Sequence, residues 1–278
     1  MSVPFTVAML QTTTGRDPAA EVPAACDLVR RAGDRGADFV MLPETCNMME
    51  PDRARAREKA HLLDDDPGLV QFREAAAASG VWLLVGSMVV WADESQERLA
   101  NRSVLIDDAG EVKATYDKVH MFDVNLGDGE IYSESEAYRP GARAVLAETP
   151  WGRLGMTVCY DLRFPALYRW LAQQGADYLT VPSAFTRPTG EAHWHVLLRA
   201  RAIETGCWVF APAQTGEHEG GRKTFGHSLA VDPWGTVVAD GGAEAGMVVA
   251  QVSPAVVRAA RMRMPSLQHD RPFLEDAG

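Results

Sequence analysis

Gly36-Ala-Asp-Phe-Val-Met-Leu-Pro43 and Gly175-Ala-Asp-Tyr-Leu-Thr-Val-Pro182 share one pattern, Gly-Ala-Asp-aromatic-apolar-x-apolar-Pro, in the two halves of the chain. Each follows a helical stretch and ends in proline, which has no N–H and cannot continue a central ladder. The pattern therefore reads as a buried strand and the point where the chain leaves the sheet. Two origins account for the echo: two helix-to-strand turns that met the same solution, or two related halves packed as a pseudo-symmetric sandwich. Outward from both copies, strand-like apolar runs alternate with amphipathic helical stretches. Strands are expected at Phe5–Leu10, Ala37–Leu42, Val81–Val90, Leu154–Val158, Ala176–Val181, Cys207–Pro212 and Met247–Val252. Helices are expected from about Ala19 to Gly33, at Pro67–Ser79 closed by Gly80, at Pro165–Gln174 and at Glu191–Thr205, with a short basic helix near the end. Asp107-Asp-Ala-Gly110 and Asp232-Pro-Trp-Gly235 read as hairpin turns, and Asn125–Gly141 as a polar loop. No Pro/Ser-rich or charge-rich linker divides the chain. The expectation is one α/β domain over residues 1–278, with a core at about 5–253 and a C-terminal helix and tail at 254–278.

A globule of 278 residues needs no disulfide or structural metal to complete its core. Lys plus Arg number 27 against 38 Asp plus Glu, a net charge of −11. That balance argues against nucleic acid and anionic membranes as partners, and otherwise serves solubility. Cys26, Cys46, Cys159 and Cys207 form no C-x-x-C, which excludes a zinc ribbon and a secreted disulfide framework. The opening residues lack a basic region, and the longest apolar stretch, Val81–Trp91, is too short for the ~20 residues of a membrane helix. A reduced, cytoplasmic, soluble protein is expected.

Among the cysteines, Cys159 stands out. It ends an apolar strand, and Asp161 and Pro165 then open a helix. A thiol on such a turn projects from the sheet edge and faces a positive helix end, which lowers its pKa. The alternative is a small buried hydrophobe, the usual state of a free cysteine. Cys26 and Cys207 fall in core patterns, and Cys46 lies near the same strand ends. Glu44 and Lys118 directly follow apolar or extended runs. Each alone reads as a solvated charge, but a nucleophilic thiol needs a base and an oxyanion stabiliser. His193-Trp-His195 lacks the spacing of a helical zinc pair, and there is no H-E-x-x-H, so a catalytic metal is not expected. Gly226-His-Ser-Leu-Ala230 approaches a serine elbow but leads into a strand and turn, which places Ser228 on a core strand. A serine hydrolase and a non-catalytic binding protein remain the readings from other classes. No phosphate-binding loop or cofactor fingerprint occurs, and no cofactor is expected.

Three separated segments, Pro43-Glu-Thr45, Tyr116-Asp-Lys-Val-His120 and Val158-Cys-Tyr-Asp-Leu-Arg-Phe-Pro165, resemble the motifs of the nitrilase superfamily of carbon–nitrogen hydrolases. The resemblance runs from Val7 to about Pro272. It implies an α-β-β-α sandwich with a triad of Glu44, Lys118 and Cys159. It also implies a supporting Glu134 (from Tyr132-Ser-Glu-Ser135, rather than Glu136) and the Tyr160 backbone N–H as oxyanion donor. Pro182-Ser-Ala-Phe-Thr186, Ala192-His-Trp194, Leu198-Arg-Ala-Arg-Ala-Ile-Glu-Thr205 and Gly226-His-Ser228 resemble the deaminated-glutathione amidase branch, with the omega-amidase branch sharing some of them. His195 departs from that branch, where Glu usually follows His-Trp. The implied activity is hydrolysis of a small carboxylate-bearing amide through a cysteine thioester. The implied partners are that substrate, water and a second copy of the chain, in a dimer or larger assembly. Arg163 is the expected carboxylate contact, or else a helix-start arginine bound to Asp or solvent. Thr186 and Thr189, in the loop after Phe185, are further candidates.

Overall fold

The computed structural model describes residues 3–127 and 130–272. The first half of the chain builds one sheet. β1 (Phe5–Gln11) leads through α1 (Pro18–Asp34) to β2 (Phe39–Met41). After α2 (Arg53–Lys59), α3 (Pro67–Ser79) returns the chain to β3 (Trp82–Trp91), followed by β4 (Leu99–Ile106) and β5 (Val112–Asp117). A small hairpin, β6 (Asp123–Asn125) and β7 (Ile131–Ser133), separates this half from the next. The second half repeats the plan with β8 (Val145–Thr149), β9 (Gly152–Met156), α4 (Pro165–Gln173), β10 (Tyr178–Thr180), α5 (Arg187–Thr205) and β11 (Trp208–Ala211). A hairpin of β12 (Thr215–Glu217) and β13 (Lys223–Phe225) precedes β14 (Leu229–Val231) and β15 (Val237–Asp240). The chain then crosses back as β16 (Gly246–Val252) and continues into α6 (Ala255–Arg263).

The strand orders are β16-β1-β2-β3-β4-β5 and β8-β9-β10-β11-β14-β15. Position by position the orientations agree: an antiparallel edge, three parallel strands, then two antiparallel ones. The two echoing segments lead into β2 and β10, which occupy equivalent places. The pseudo-symmetric reading of the echo therefore holds.

Side-chain alternation assigns the layers. Phe5, Val7 and Met9 of β1 join the core shared with the second sheet, where Phe5 stacks on Trp151 at 4.3 Å between ring centroids. Ala8 and Leu10 turn the other way, onto Val22, Cys26 and Val29 of α1 and Phe72 of α3. Strands covered on both faces read as unbroken apolar runs for this reason. On the second sheet, α4 and α5 form the outer layer through Tyr168, Leu171, Trp194 and Leu198. The result is an α-β-β-α sandwich.

Two stretches differ from the sequence expectation. α5 begins at Arg187 rather than Glu191, because Pro188 fits a first helical turn, where no N–H is needed. Thr189 is therefore in a helix and not in a loop. The expected polar loop Asn125–Gly141 contains β7 and a 3₁₀ turn at Glu134–Glu136, while its residues 128–129 lie outside the described ones, as does the end of the expected tail, 273–278.

Candidate active site

The strand ends carry the site. Pro43 stops β2 and delivers Glu44, whose carboxylate is buried between the sheets. The turn is tight: a Cβ on Gly86 of β3 would lie 1.9 Å from the Leu42 carbonyl oxygen and 2.6 Å from that of Pro43. Only glycine lets the chain pass there. Lys118 follows β5, its backbone N–H held by the Asn101 carbonyl at 3.0 Å. Cys159 follows β9 with φ at +48°, a left-handed conformation that non-glycine residues adopt at a cost. Asp161, fully buried, pins this turn: its carboxylate accepts from the Val158 N–H at 2.9 Å, the Tyr116 hydroxyl at 2.7 Å and the His120 N–H at 3.0 Å. The Cys159 N–H donates to the Pro182 carbonyl at 3.0 Å. Both copies of the echoing segment thus end at the same point.

Lys118 Nζ donates to Glu44 Oε1 at 3.0 Å and to both Glu134 oxygens at 3.0 and 2.8 Å. Glu44 Oε2 accepts from the Ala184 N–H at 2.8 Å, and Glu134 Oε2 from the Phe122 N–H at 2.7 Å. Burial alone would raise the Glu44 pKa; the Lys118 charge and the nearby Cys159 thiol outweigh it and hold the carboxyl below its ordinary value. Burial likewise works against the Lys118 ammonium, but Glu134 and Glu44 keep it charged well beyond the usual lysine range. The Cys159 thiol moves opposite to the sequence expectation. Burial, then the Glu44 charge, push it up, and Lys118 only partly opposes them. A five-residue 3₁₀ turn behind it cannot offset desolvation.

These groups open on one cavity of about 860 Å³, within the range of small-molecule sites. Glu44, Lys118, Glu134, Cys159, Tyr160, Arg163, Thr186 and Thr189 all border it. Arg163 makes no ion pair among the described residues; its Nη1 is 3.2 Å from His193 Nδ1 and its guanidinium packs near the Tyr160 and Phe185 rings. Thr186 and Thr189 hydroxyls bond each other at 2.8 Å. Cys26, Cys46 and Cys207 are buried away from the cavity, and Ser228 is a core residue whose hydroxyl accepts from the Ala213 N–H at 2.9 Å. His195 also lies off the cavity lining, against Asp240.

Asn101 and Arg222, which act on the carboxylates of the cluster, are lining residues that the sequence reading did not mark. Asn101 Nδ2 donates to Glu44 Oε1 at 2.9 Å and to Glu134 Oε1 at 3.2 Å, bridging the two carboxylates. An amide inside the apolar run of β4 was its signal. Arg222 donates to the Ala184 carbonyl at 2.6 Å and adds positive potential at Glu44, with its buried Nε unpaired among the described residues. It comes from a glycine-flanked loop far along the chain, and no local pattern marks it.

A buried carboxylate, ammonium and thiol brought to one cavity by strand ends of both sheets of an α-β-β-α sandwich are the arrangement of an amide-hydrolysing enzyme of the nitrilase type. The chain belongs to the carbon–nitrogen hydrolase family, whose profile matches residues 6–262. It is 42% identical to a deaminated glutathione amidase of Yersinia enterocolitica, over 95% of this chain and 92% of the relative. The crystal structure of the Caenorhabditis elegans NitFhit protein superposes with a TM-score of 0.90 at 35% identity, covering 98% of this chain and 66% of that one. A mutant of the amidase from Nesterenkonia sp. AN1, with the acetamide moiety of fluoroacetamide added covalently at its active-site cysteine, superposes with a TM-score of 0.80. It is 26% identical, over 96% of this chain and 94% of that one. Among the described residues no helix is long and apolar enough to cross a membrane.

Proposed function

We propose that this enzyme hydrolyses the amide of deaminated glutathione through a thioester on Cys159, acting as one domain over the whole chain. The observation that carries the mechanism is the Lys118 ammonium, held within 3.0 Å of both Glu44 and Glu134 at the cavity wall that also bears Cys159. An ionised Glu44 beside a protonated thiol is a base beside its substrate proton. The substrate carbonyl oxygen enters between Lys118 Nζ and the Tyr160 N–H. Cys159 sulfur bonds to the carbonyl carbon as its proton passes to Glu44, and the two donors take up the oxyanion charge. Collapse breaks the C–N bond while Glu44 returns the proton to the leaving nitrogen. Glu44 then draws a proton from water, which attacks the thioester and frees the acid and the thiol. Glu134 and Asn101 keep Lys118 and Glu44 in register.

The substrate reading rests on the 42% identity to a deaminated glutathione amidase and on cationic Arg163 and Arg222 in the cavity, which suit carboxylates. The discriminating experiment compares kcat/KM for deaminated glutathione and α-ketoglutaramate, following 2-oxoglutarate as the common product. The expected result favours deaminated glutathione, with nitriles untouched. A clear preference for α-ketoglutaramate assigns an omega-amidase instead. Arg163→Lys should raise KM more than it lowers kcat, since a carboxylate contact remote from the scissile bond supplies uniform binding. We also infer a cytoplasmic location, which four unpaired cysteines suit, and a homodimer.

A further inference from the structure

We propose that His195, His227 and Asp240 form a binding site for one divalent transition cation of the zinc class, separate from the amide cavity. The three residues come from α5, the turn before β14 and the end of β15, and none borders the cavity. Their ligand atoms all lie within 4.8 Å of one another. His195 Nε2 is 3.0 Å from Asp240 Oδ2, and His227 Nδ1 is 2.9 Å from Asp240 Oδ1. Bonds of about 2.0–2.2 Å to a tetrahedral ion would set ligands roughly 3.3–3.6 Å apart. The two imidazole–carboxylate pairs need shifts of a few tenths of an ångström to reach that spacing, and the imidazole–imidazole pair, within 4.8 Å, closes by about 1.5 Å at most, which side-chain rotation on the exposed edge supplies.

The side chains are held for this task. His227 has φ at +54°, fixed by its N–H to the Gly242 carbonyl at 2.7 Å and by the Trp194 indole N–H on its own carbonyl at 2.8 Å. Phe225 stacks on the His227 ring at 4.4 Å and meets His195 edge-on. The Gly242 N–H donates to Asp240 Oδ1 at 2.9 Å, the kind of outer-shell bond that orients a ligating carboxylate. All three side chains remain 27–37% exposed, so a hydrated ion reaches them and water completes the shell. Two imidazoles and one carboxylate favour zinc, cobalt or nickel over magnesium or calcium, which want oxygen donors. Binding replaces the two hydrogen bonds with metal–ligand bonds, releases any proton shared between ring and carboxylate, and weakens in acid. The ion would clamp α5 to the β14–β15 hairpin.

The test is titration of the full-length Cys159→Ala protein with Co²⁺ alone, read by the visible absorption of the bound ion; removing the thiol keeps metal out of the amide site. One equivalent should bind, yield to Zn²⁺ and resist Mg²⁺. Adding His195→Ala or Asp240→Asn should weaken binding by at least the ~10–100-fold that loss of an outer-shell partner costs, and abolish the rise in Tm that Zn²⁺ gives. Failure of the Cys159→Ala protein to bind an equivalent would overturn the proposal, leaving a hydrogen-bonded His–Asp–His bridge. So would an equivalent that survives both substitutions.

Discussion

The role proposed for Cys159 as nucleophile does not rest on a low pKa. All four cysteines have thiols pushed up by burial, Cys26 to about 11, so acidity does not single one out. What separates Cys159 is access to the cavity and an ionised carboxylate beside it. Glu44→Gln keeps the shape but cannot accept the proton; turnover should fall at least ~10²-fold, the scale of general-base catalysis. Lys118→Met tests the charge. Removing one partner of a buried pair costs about 3–5 kcal/mol, and here it strands Glu44 and Glu134 together. The sign of the pH dependence follows from both shifts. Glu44, lowered in the folded state, stabilises above the ordinary glutamate value of about 4.3, and that contribution is lost as pH falls through its folded value. Lys118, raised, contributes fully below about 10.4 and loses this as pH rises through its folded value. The stability gap between wild type and Lys118→Met, measured by urea unfolding, should narrow as pH falls, starting above the ordinary glutamate value of about 4.3, because burial raises the stranded carboxyls of the variant and their protonation relieves it. A gap that widens on acidification would mean the cluster is not ionised as described.

At the scale of elements, two proline-ended strands and one glycine place the chemistry. Pro43 delivers Glu44, Pro182 receives the Cys159 N–H, and Ala184 just beyond it donates to Glu44. Gly86 lets the first of these turns close against β3. Gly86→Ala should force the Leu42 and Pro43 carbonyls outward, lowering stability by ~1–3 kcal/mol as overpacked positions do and reducing kcat more than it raises KM. Unchanged kcat in a folded variant would show that Glu44 tolerates the shift. The same elements show what a sequence reading reaches. The strand alternation, the Gly80 helix end and the hairpin turns are local patterns, and each was legible. The start of α5 was hidden because Pro188 and Gly190 look like breakers although a first turn accepts them. Glu44, Lys118, Glu134 and Cys159 could be named from motifs, but the shared Asn101 donor, the Arg222 contribution and the upward thiol shift arise from packing between segments far apart in the chain.

At the scale of the molecule, two halves of matched strand order close a cavity between their strand ends, and α4 and α5 cover the outer face of the second sheet. Trp170, Val196 and Ile203 on those helices are 46%, 68% and 51% exposed, apolar area suited to a second copy. Light scattering should give twice the chain mass of 30.3 kDa, and Trp170→Glu should return it to the single-chain value. A monomer in the unsubstituted protein would reject the dimer without touching the mechanism. That mechanism stands on a covalent intermediate. Rapid acid quench of the enzyme turning over deaminated glutathione, followed by intact-mass and peptide analysis, tests it most directly. The account predicts one adduct with the mass of the keto-acyl group on Cys159, and neither adduct nor turnover in Cys159→Ala. Turnover by Cys159→Ala, or an acyl group on any other residue, would contradict it.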